Sequence, residues 1–184
     1  AGYVLKKSEL IALYELACEE DFFILSDEIY EKLLFSNKQH FSIGSLENQP
    51  ERVITINGFS KSHAMTGWRL GYACFPDSLR FDLLKLQQHT NTNTCTFIQE
   101  GVANAGLIDM QYLEAYNKKL ERRISWYNEM VSRLDQISGV PPEGGFFAFM
   151  NISKLGMDSN TFCGKLMEET GVATTPGIAF GKNW

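Results

Sequence analysis

The chain has 184 residues, of which 44% are hydrophobic and 21% are charged, and its formal net charge is -5. This composition is typical of a globular protein with one domain, or with one domain and part of another. The negative charge argues against a nucleic-acid partner, and no uncharged stretch is long enough to cross a bilayer, so no membrane partner is expected. The first residues lack the layout of a signal peptide, which predicts a cytoplasmic location.

Both ends of the sequence suggest a piece of a longer chain. Ala1 is not an initiator methionine, and the sequence stops at Trp184 inside what looks like a continuing element. We therefore expect that parts of the functional protein lie outside these residues.

The first part of the chain predicts an α/β domain. Ser8 is a good N-cap for an amphipathic helix, and the apolar run 22–25 that follows suits a strand buried on both faces. Two further strands are predicted at 52–56 and 69–75. A helix followed by a buried strand is the usual order in a mostly parallel sheet with helices on its faces.

The second part predicts mainly helices. Asp77 is expected to cap a helix to about His89, a second helix is predicted to end near Leu107, and a long amphipathic helix is predicted over 109–138. After this helix, the pattern predicts short strands at 144–150 and 172–175 and a helix at 159–170. We place a domain boundary inside the long helix, with a larger domain at 1–130 and an incomplete smaller one at 131–184.

Two polar motifs follow neighbouring predicted strands. They are Ser26-Asp-Glu-Ile-Tyr30 and Asn57-Gly-Phe-Ser-Lys-Ser-His-Ala-Met-Thr-Gly-Trp-Arg-Leu-Gly71. If the strands are parallel neighbours, both motifs emerge at the carboxyl edge of the sheet, where open α/β sheets bind ligands. The motifs therefore predict one shared site.

The groups in these motifs suit a phosphorylated, electron-withdrawing aldehyde cofactor. Lys61 can form an imine, Ser60 and Arg69 can hold a phosphate, and Asp27 can stabilise a protonated ring nitrogen. Tyr30 can donate a hydrogen bond to a phenolic oxygen of the ring. After its release, the Lys61 amine can move a proton between substrate and cofactor.

Each of these residues also has an ordinary interpretation. Lys61 could be a solvated lysine, Asp27 and Glu28 a strand-end cap or a surface acid pair, and Tyr30 a packing residue. Ser60 and Lys61 are adjacent, which disfavours a Ser-Lys hydrolase dyad. No metal site is predicted, because neither the histidines nor the cysteines have the paired spacing of metal ligands. The conjunction of the groups favours the cofactor site.

The two motifs closely resemble those of the class I and II aminotransferases, which are fold type I pyridoxal-phosphate enzymes. The segment Met65-Thr-Gly-Trp-Arg69 resembles the corresponding motif of the bacterial-type aspartate aminotransferase branch. Similarity to the family extends over nearly the whole chain. The resemblance implies an α/β chain. It would contain part of the large domain, with an α/β/α arrangement around a mostly parallel sheet, and then part of the smaller α+β C-terminal domain.

The resemblance also implies roles for individual residues. Lys61 would be the Schiff-base lysine and proton shuttle, Asp27 the partner of the pyridinium nitrogen, and Tyr30 the partner of the phenolic oxygen. Ser60 and Arg69 would bind the phosphate of pyridoxal 5'-phosphate. The family's phosphate loop, ring-stacking aromatic residue and substrate-carboxylate arginine would lie outside this chain.

The expected activity is transfer of an amino group between an amino acid and a 2-oxo acid, in a homodimer. Two alternatives remain open at this stage. One is a pyridoxal-phosphate-dependent C-S β-lyase or another amino-acid lyase, since these reactions also begin with removal of the α-proton. The other is an aminotransferase-like effector domain of a transcription regulator. A fragment that folds poorly and has no activity alone is a third possibility.

Overall fold

The computed structural model describes residues 2–35, 37–46, 51–104 and 110–181. These residues form two compact units. The first contains 2–121 together with 143–146, and the second contains 122–142 and 147–181. The assignment of 1–130 and 131–184 to complete or partial domains stays a prediction.

The described residues form α-helices and short β-strands. The α-helices, in chain order, are α1 (Lys7–Glu19), α2 (Arg80–Thr90), α3 (Thr96–Asn104), α4 (Met110–Ser132) and α5 (Ser159–Thr170). The β-strands are β1 (Ile24–Asp27), β2 (Val53–Gly58), β3 (Gly71–Cys74), β4 (Ser138–Gly139) and β5 (Met150–Asn151). None of the helices in the described residues has the length and apolar content needed to span a membrane.

The first unit is organised around a sheet in the order β1-β2-β3. Strands β1 and β2 are parallel, with Asp27 opposite Ile56, whereas β2 and β3 are antiparallel, with Gly58 opposite Gly71. The carboxyl ends of β1 and β2 therefore lie at the same edge of the sheet. The loop between β2 and β3 begins and ends at that edge.

Helix α1 covers the first two strands. It buries Leu10 and Ala17 in a core cluster with Ile24, Val53 and Ile43. Leu10 and Ala17 are seven residues apart and therefore lie on the same face of the helix, which packs on one face of the sheet. This packing fixes the carboxyl edge of β1 and β2 relative to the rest of the unit.

Several predicted boundaries in the first unit were wrong by a few residues. Ser8 is not the N-cap, because Lys6 occupies that position and its N–H donates to the Glu9 carboxylate at 2.7 Å. Strand β1 lies two residues beyond the predicted run, and Leu25 is 65% exposed, so the strand is not buried on both faces in the described residues. Asp77 does not cap α2, which follows a short 3-10 turn after Pro76.

The second unit differs most from the sequence prediction. The long helix ends at Ser132 and not at 138, because Ser138 and Gly139 pair with the antiparallel strand β5. The strand predicted at 144–150 is reduced to β5, and no ladder forms at 172–175. The predicted helix at 159–170 is confirmed as α5, where Asp158 caps the first turn by accepting from two backbone N–H groups.

Residues 143–146 return to the first unit through close backbone contact. The Gly145 N–H donates to the Leu33 carbonyl at 2.7 Å, and Gly144 forms a bridge with Leu34. A Cβ atom on Gly144 would lie 2.8 Å from the Leu33 carbonyl oxygen, which is backbone and cannot easily move. This position therefore requires glycine for lack of space.

We expect Gly144→Ala to reduce the free energy of unfolding of the full-length protein by about 1–3 kcal/mol, because of this clash. The matched control is Gly101→Ala in α3, where a Cβ would meet nothing within 4 Å. That control should raise the stability by about 0.5–1 kcal/mol, since alanine is the better helix former. Urea denaturation measures both, and an unchanged Gly144→Ala midpoint would contradict the expectation.

Candidate active site

Asp27 and Tyr30 lie at the carboxyl end of β1. The exposed Asp27 carboxylate accepts a hydrogen bond from the Ile29 N–H at 3.2 Å, which closes a local turn that leads to Tyr30. Burial, and then the negative charge of Asp27, raise the pKa of the Tyr30 phenol above 10.0. The phenol therefore stays protonated at neutral pH and is available as a hydrogen-bond donor.

Lys61 lies in the turn that follows β2, and its amine lies against two aromatic rings. The Lys61 Nζ is 5.9 Å from the ring centroid of Tyr30 and 5.6 Å from that of Phe146. The two rings meet edge to face, with centroids 5.3 Å apart. Aromatic faces attract a cationic amine at this range and exclude water from one side of it. The structure thus brings Asp27, Tyr30 and Lys61 into one neighbourhood.

Phe146 is the part of this neighbourhood that the sequence did not predict as a site residue. It lies far along the chain from Lys61, within Gly144-Gly-Phe146, which we had associated with the smaller domain. The signal that could have found it is the glycine pair before it, since paired glycines allow close approach of one backbone to another.

Ser60 and Arg69 lie in the loop between β2 and β3. Ser60 is half-buried and directly precedes Lys61 in the sequence. Arg69 is exposed and lies just before β3. Arg69 has a left-handed backbone conformation, with φ 54° and ψ 43°, and its guanidinium donates to the Thr66 carbonyl at 2.7 Å. A non-glycine residue in this region is uncommon and indicates a locally constrained loop. Arg69 therefore bonds within its own loop, at the edge where Lys61 also lies.

The same loop is stiffened by a buried serine. Ser62 is 6% exposed, and its Oγ lies 2.8 Å from Nδ1 of His63. The His63 ring packs edge-on against Phe59, and burial lowers its pKa below 6.5, so the ring is neutral at pH 7. These contacts support the loop that carries Lys61.

Glu28 is not the strand-end cap or surface acid that the sequence suggested. Its carboxylate is buried and accepts hydrogen bonds from Ser26, His40 and Ser42. Burial alone would raise the pKa of Glu28, but these hydrogen bonds and the nearby imidazole together hold it below its ordinary value of 4.5. The carboxylate is therefore ionised at neutral pH.

Glu28 and two side chains near it have the chemistry of metal ligands. Ligand atoms of Glu28, Glu31 and His40 lie within 4.8 Å of one another. The spacing of these residues along the chain does not reveal this proximity, which arises from the fold. Glu28 already accepts three hydrogen bonds, so these contacts alone account for its burial. The absence of a metal stays a prediction.

The lowered pKa of Glu28 predicts a pH dependence of stability. A carboxyl whose pKa is lower in the folded state stabilises the fold fully above its ordinary value of 4.5, and this contribution is lost as the pH falls through the folded-state pKa. We expect Glu28→Gln to be less stable than wild type at neutral pH, with the difference in stability narrowing as the pH falls from neutral to below 4.5.

Urea midpoints across this pH range measure the difference. The exposed Glu19→Gln is the matched control and should follow wild type throughout. A constant offset between Glu28→Gln and wild type at every pH would show that ionisation of Glu28 does not contribute.

Comparison with known proteins identifies the family. The family described as "Aminotransferase class I and II" matches residues 1–183. The chain therefore belongs to the class I and II aminotransferase family, as the two motifs predicted.

Individual relatives agree with this assignment. An aspartate aminotransferase of Musicola paradisiaca is 40% identical over 98% of this chain and 46% of its own length. The aromatic-amino-acid aminotransferase 2 of Thermococcus litoralis is 38% identical over 98% of the chain and 47% of its own length. The chain spans about half the length of the curated relatives it matches.

The structure agrees with the same family. The crystal structure of an aromatic aminotransferase from Pyrococcus horikoshii superposes with a TM-score of 0.93, at 36% identity, over 98% of this chain and 49% of that one. The predicted fold class, a partial fold type I α/β fold, is therefore confirmed.

Proposed function

We propose that the full-length protein containing this chain is an aminotransferase that depends on pyridoxal 5'-phosphate and resembles aspartate aminotransferase. The observation that carries the proposal is the Lys61 amine beside Tyr30, at the sheet edge where Asp27 also lies. Membership of the aminotransferase family supports the same reaction and favours transamination over the lyase and regulator alternatives.

The residues present fit this cofactor by the chemistry of their donors. Lys61 offers an amine, Asp27 an exposed carboxylate, and Tyr30 a phenol that stays protonated. Ser60 and Arg69 offer a hydroxyl and a guanidinium, which are the usual partners of a phosphate. When bound, the cofactor supplies an aldehyde and a ring that withdraws electrons from the substrate α-carbon.

In this proposal Lys61 has two tasks, and each of the other residues has one. The Lys61 Nζ holds the cofactor before the amino acid binds, and then takes the proton from the substrate α-carbon. The Asp27 carboxylate stabilises positive charge at the ring nitrogen, and the Tyr30 hydroxyl donates to the phenolic oxygen. Ser60 and Arg69 orient the phosphate. We propose that the substrates are an amino acid and a 2-oxo acid, and that the protein is cytoplasmic.

We also propose a homodimer. Large apolar side chains are exposed on two consecutive helices of the first unit, including Phe81 at 80% in α2 and Phe97 at 72% in α3. Folded proteins rarely leave large apolar surfaces in water, and a second copy is one way to cover them. Sedimentation of the full-length protein tests this assembly.

The proposed function is tested by supplying the full-length protein with the cofactor and a panel of amino donors. Formation of 2-oxo acid, together with borohydride-stable labelling of the Lys61 peptide, would support it. Labelling of another peptide, or none, would overturn it.

We expect the 184-residue chain alone to lack aminotransferase activity, because it spans about half the length of its relatives. The resemblance places the phosphate loop and the substrate-carboxylate arginine in the other half. Turnover of one amino donor by this chain and by the full-length protein, at equal concentration, measures the difference. Equal rates would contradict the expectation.

A further inference from the structure

A polar cluster around the buried Glu28 carboxylate lies next to the candidate site. We call it the Glu28 anchor, and it consists of Glu28, Ser26, His40 and Ser42. The Glu28 carboxylate accepts from His40 Nε2 at 2.8 Å and from the hydroxyls of Ser26 and Ser42, each at 3.0 Å. Glu28 is only 6% exposed, so these bonds are largely shielded from water. Since an ionised carboxylate only accepts, His40 carries its proton on Nε2.

The anchor also holds the backbone that carries two proposed cofactor-binding residues. The Glu28 N–H donates to the Ile56 carbonyl at 2.8 Å, which extends the pairing of β1 with β2. The Glu28 carbonyl accepts from the Glu31 N–H at 2.9 Å, which closes the turn that contains Tyr30. Glu28 is therefore fixed through both backbone and side chain, with Asp27 immediately before it and Tyr30 two residues after it.

We propose that the Glu28–His40 pair is a positioning unit that sets Asp27 and Tyr30 relative to Lys61. This inference rests on the proposed function. The anchor ties the end of β1 to the segment 37–46, so a change at His40 is transmitted to the turn that holds Tyr30. Asp27 and Tyr30 are at least partly exposed, and the buried residue between them provides the fixed point.

The energetics favour a single arrangement of the anchor. A buried carboxylate with three donors is well satisfied, whereas removal of His40 leaves it underbonded in a poorly hydrated place. The Glu28 side chain would then turn toward water or take up a proton. Either change would loosen the turn that contains Tyr30. Glu31 also lies beside this cluster, since its carboxylate lies within 4.8 Å of ligand atoms of Glu28 and His40.

The test uses the full-length protein with bound pyridoxal 5'-phosphate and compares His40→Leu with His40→Gln. Leucine removes the donor to Glu28, whereas glutamine keeps an N–H group at similar reach. The control is Leu10→Ala, which removes a buried core side chain of α1 and should reduce stability without removing any hydrogen bond of the anchor. Ser42→Ala removes one of the three bonds and serves as a milder variant if His40→Leu does not fold.

Two measurements separate positioning from general stability. One is the dissociation constant of the cofactor, followed by protein fluorescence. The other is the pH midpoint of the visible absorption band of the lysine-bound cofactor. We expect His40→Leu to raise the dissociation constant about tenfold and to shift the midpoint, with Ser42→Ala showing a smaller change in the same direction. His40→Gln should recover most of both values, and Leu10→Ala should lower the melting temperature but leave both unchanged.

The outcomes distinguish this inference from the function on which it rests. If wild type never binds the cofactor at Lys61, the proposed function fails and this inference fails with it. If wild type binds the cofactor and His40→Leu behaves like Leu10→Ala, only the positioning role is overturned. A change in the wild-type midpoint on treatment with EDTA would indicate a cation at Glu28, Glu31 and His40 and would also overturn it.

Discussion

Lys61→Arg is expected to abolish transamination by the full-length protein. Arginine keeps the positive charge beside the rings of Tyr30 and Phe146. Its guanidinium does not deprotonate near neutral pH, however, so it can neither condense with an aldehyde nor accept a proton. We expect turnover to fall by at least about 10⁴-fold, because in the proposed function the Lys61 amine acts as both nucleophile and base.

Steady-state turnover of an amino donor measures this loss, and borohydride reduction followed by peptide mapping locates the labelled residue. Lys85→Arg, at an exposed position of α2, is the matched control and should retain full activity and labelling at Lys61. Undiminished turnover of Lys61→Arg would show that this amine is not the reacting group.

Asp27→Asn is expected to have the second-largest effect. The amide oxygen can still accept from the Ile29 N–H, so the local turn should persist. The negative charge that would stabilise the ring nitrogen is lost, and we expect turnover to fall by about 10²–10³-fold. The same change should lower the pKa of the Tyr30 phenol, although burial, which is the larger cause, still keeps that pKa above 10.0.

Steady-state turnover measures the first effect. An ultraviolet titration measures the pKa of the Tyr30 phenol, and Tyr30→Phe assigns the signal. The control is Asp82→Asn, which removes one exposed carboxylate from α2 without approaching the site. If Asp27→Asn retained wild-type turnover while binding the cofactor normally, Asp27 would have no role at the ring nitrogen.

Local patterns predicted those features that depend on neighbouring residues. Helix α5 was placed correctly because Asp158, Gly171 and the apolar spacing between them all act within a few residues. Strand β2 and the loop after it were also recognisable. The boundaries of α1 and β1 shifted, because capping by Lys6 and pairing with Val53 compete with the simpler patterns at Ser8 and Phe22.

Features of the second unit were harder to predict. The apolar stripe of α4 continues to Ile137 by spacing alone, yet Ser138 and Gly139 form backbone hydrogen bonds with β5. A periodic pattern cannot reveal a strand partner that lies ten or more residues further along the chain. The predicted end of the long helix was therefore wrong.

In the candidate site, too, some features follow from local sequence patterns and others depend on contacts between distant segments. The order of the strands and the rule for parallel sheets were enough to predict that Asp27 and Lys61 share one edge, because each follows its own strand directly. The amino-acid sequence also determined the family, through two long motifs. Only the tertiary structure decided that Phe146 lies against Lys61 and that Glu28 is buried against His40. Both contacts join residues that are separated along the chain by irregular segments, and local sequence patterns do not predict such contacts.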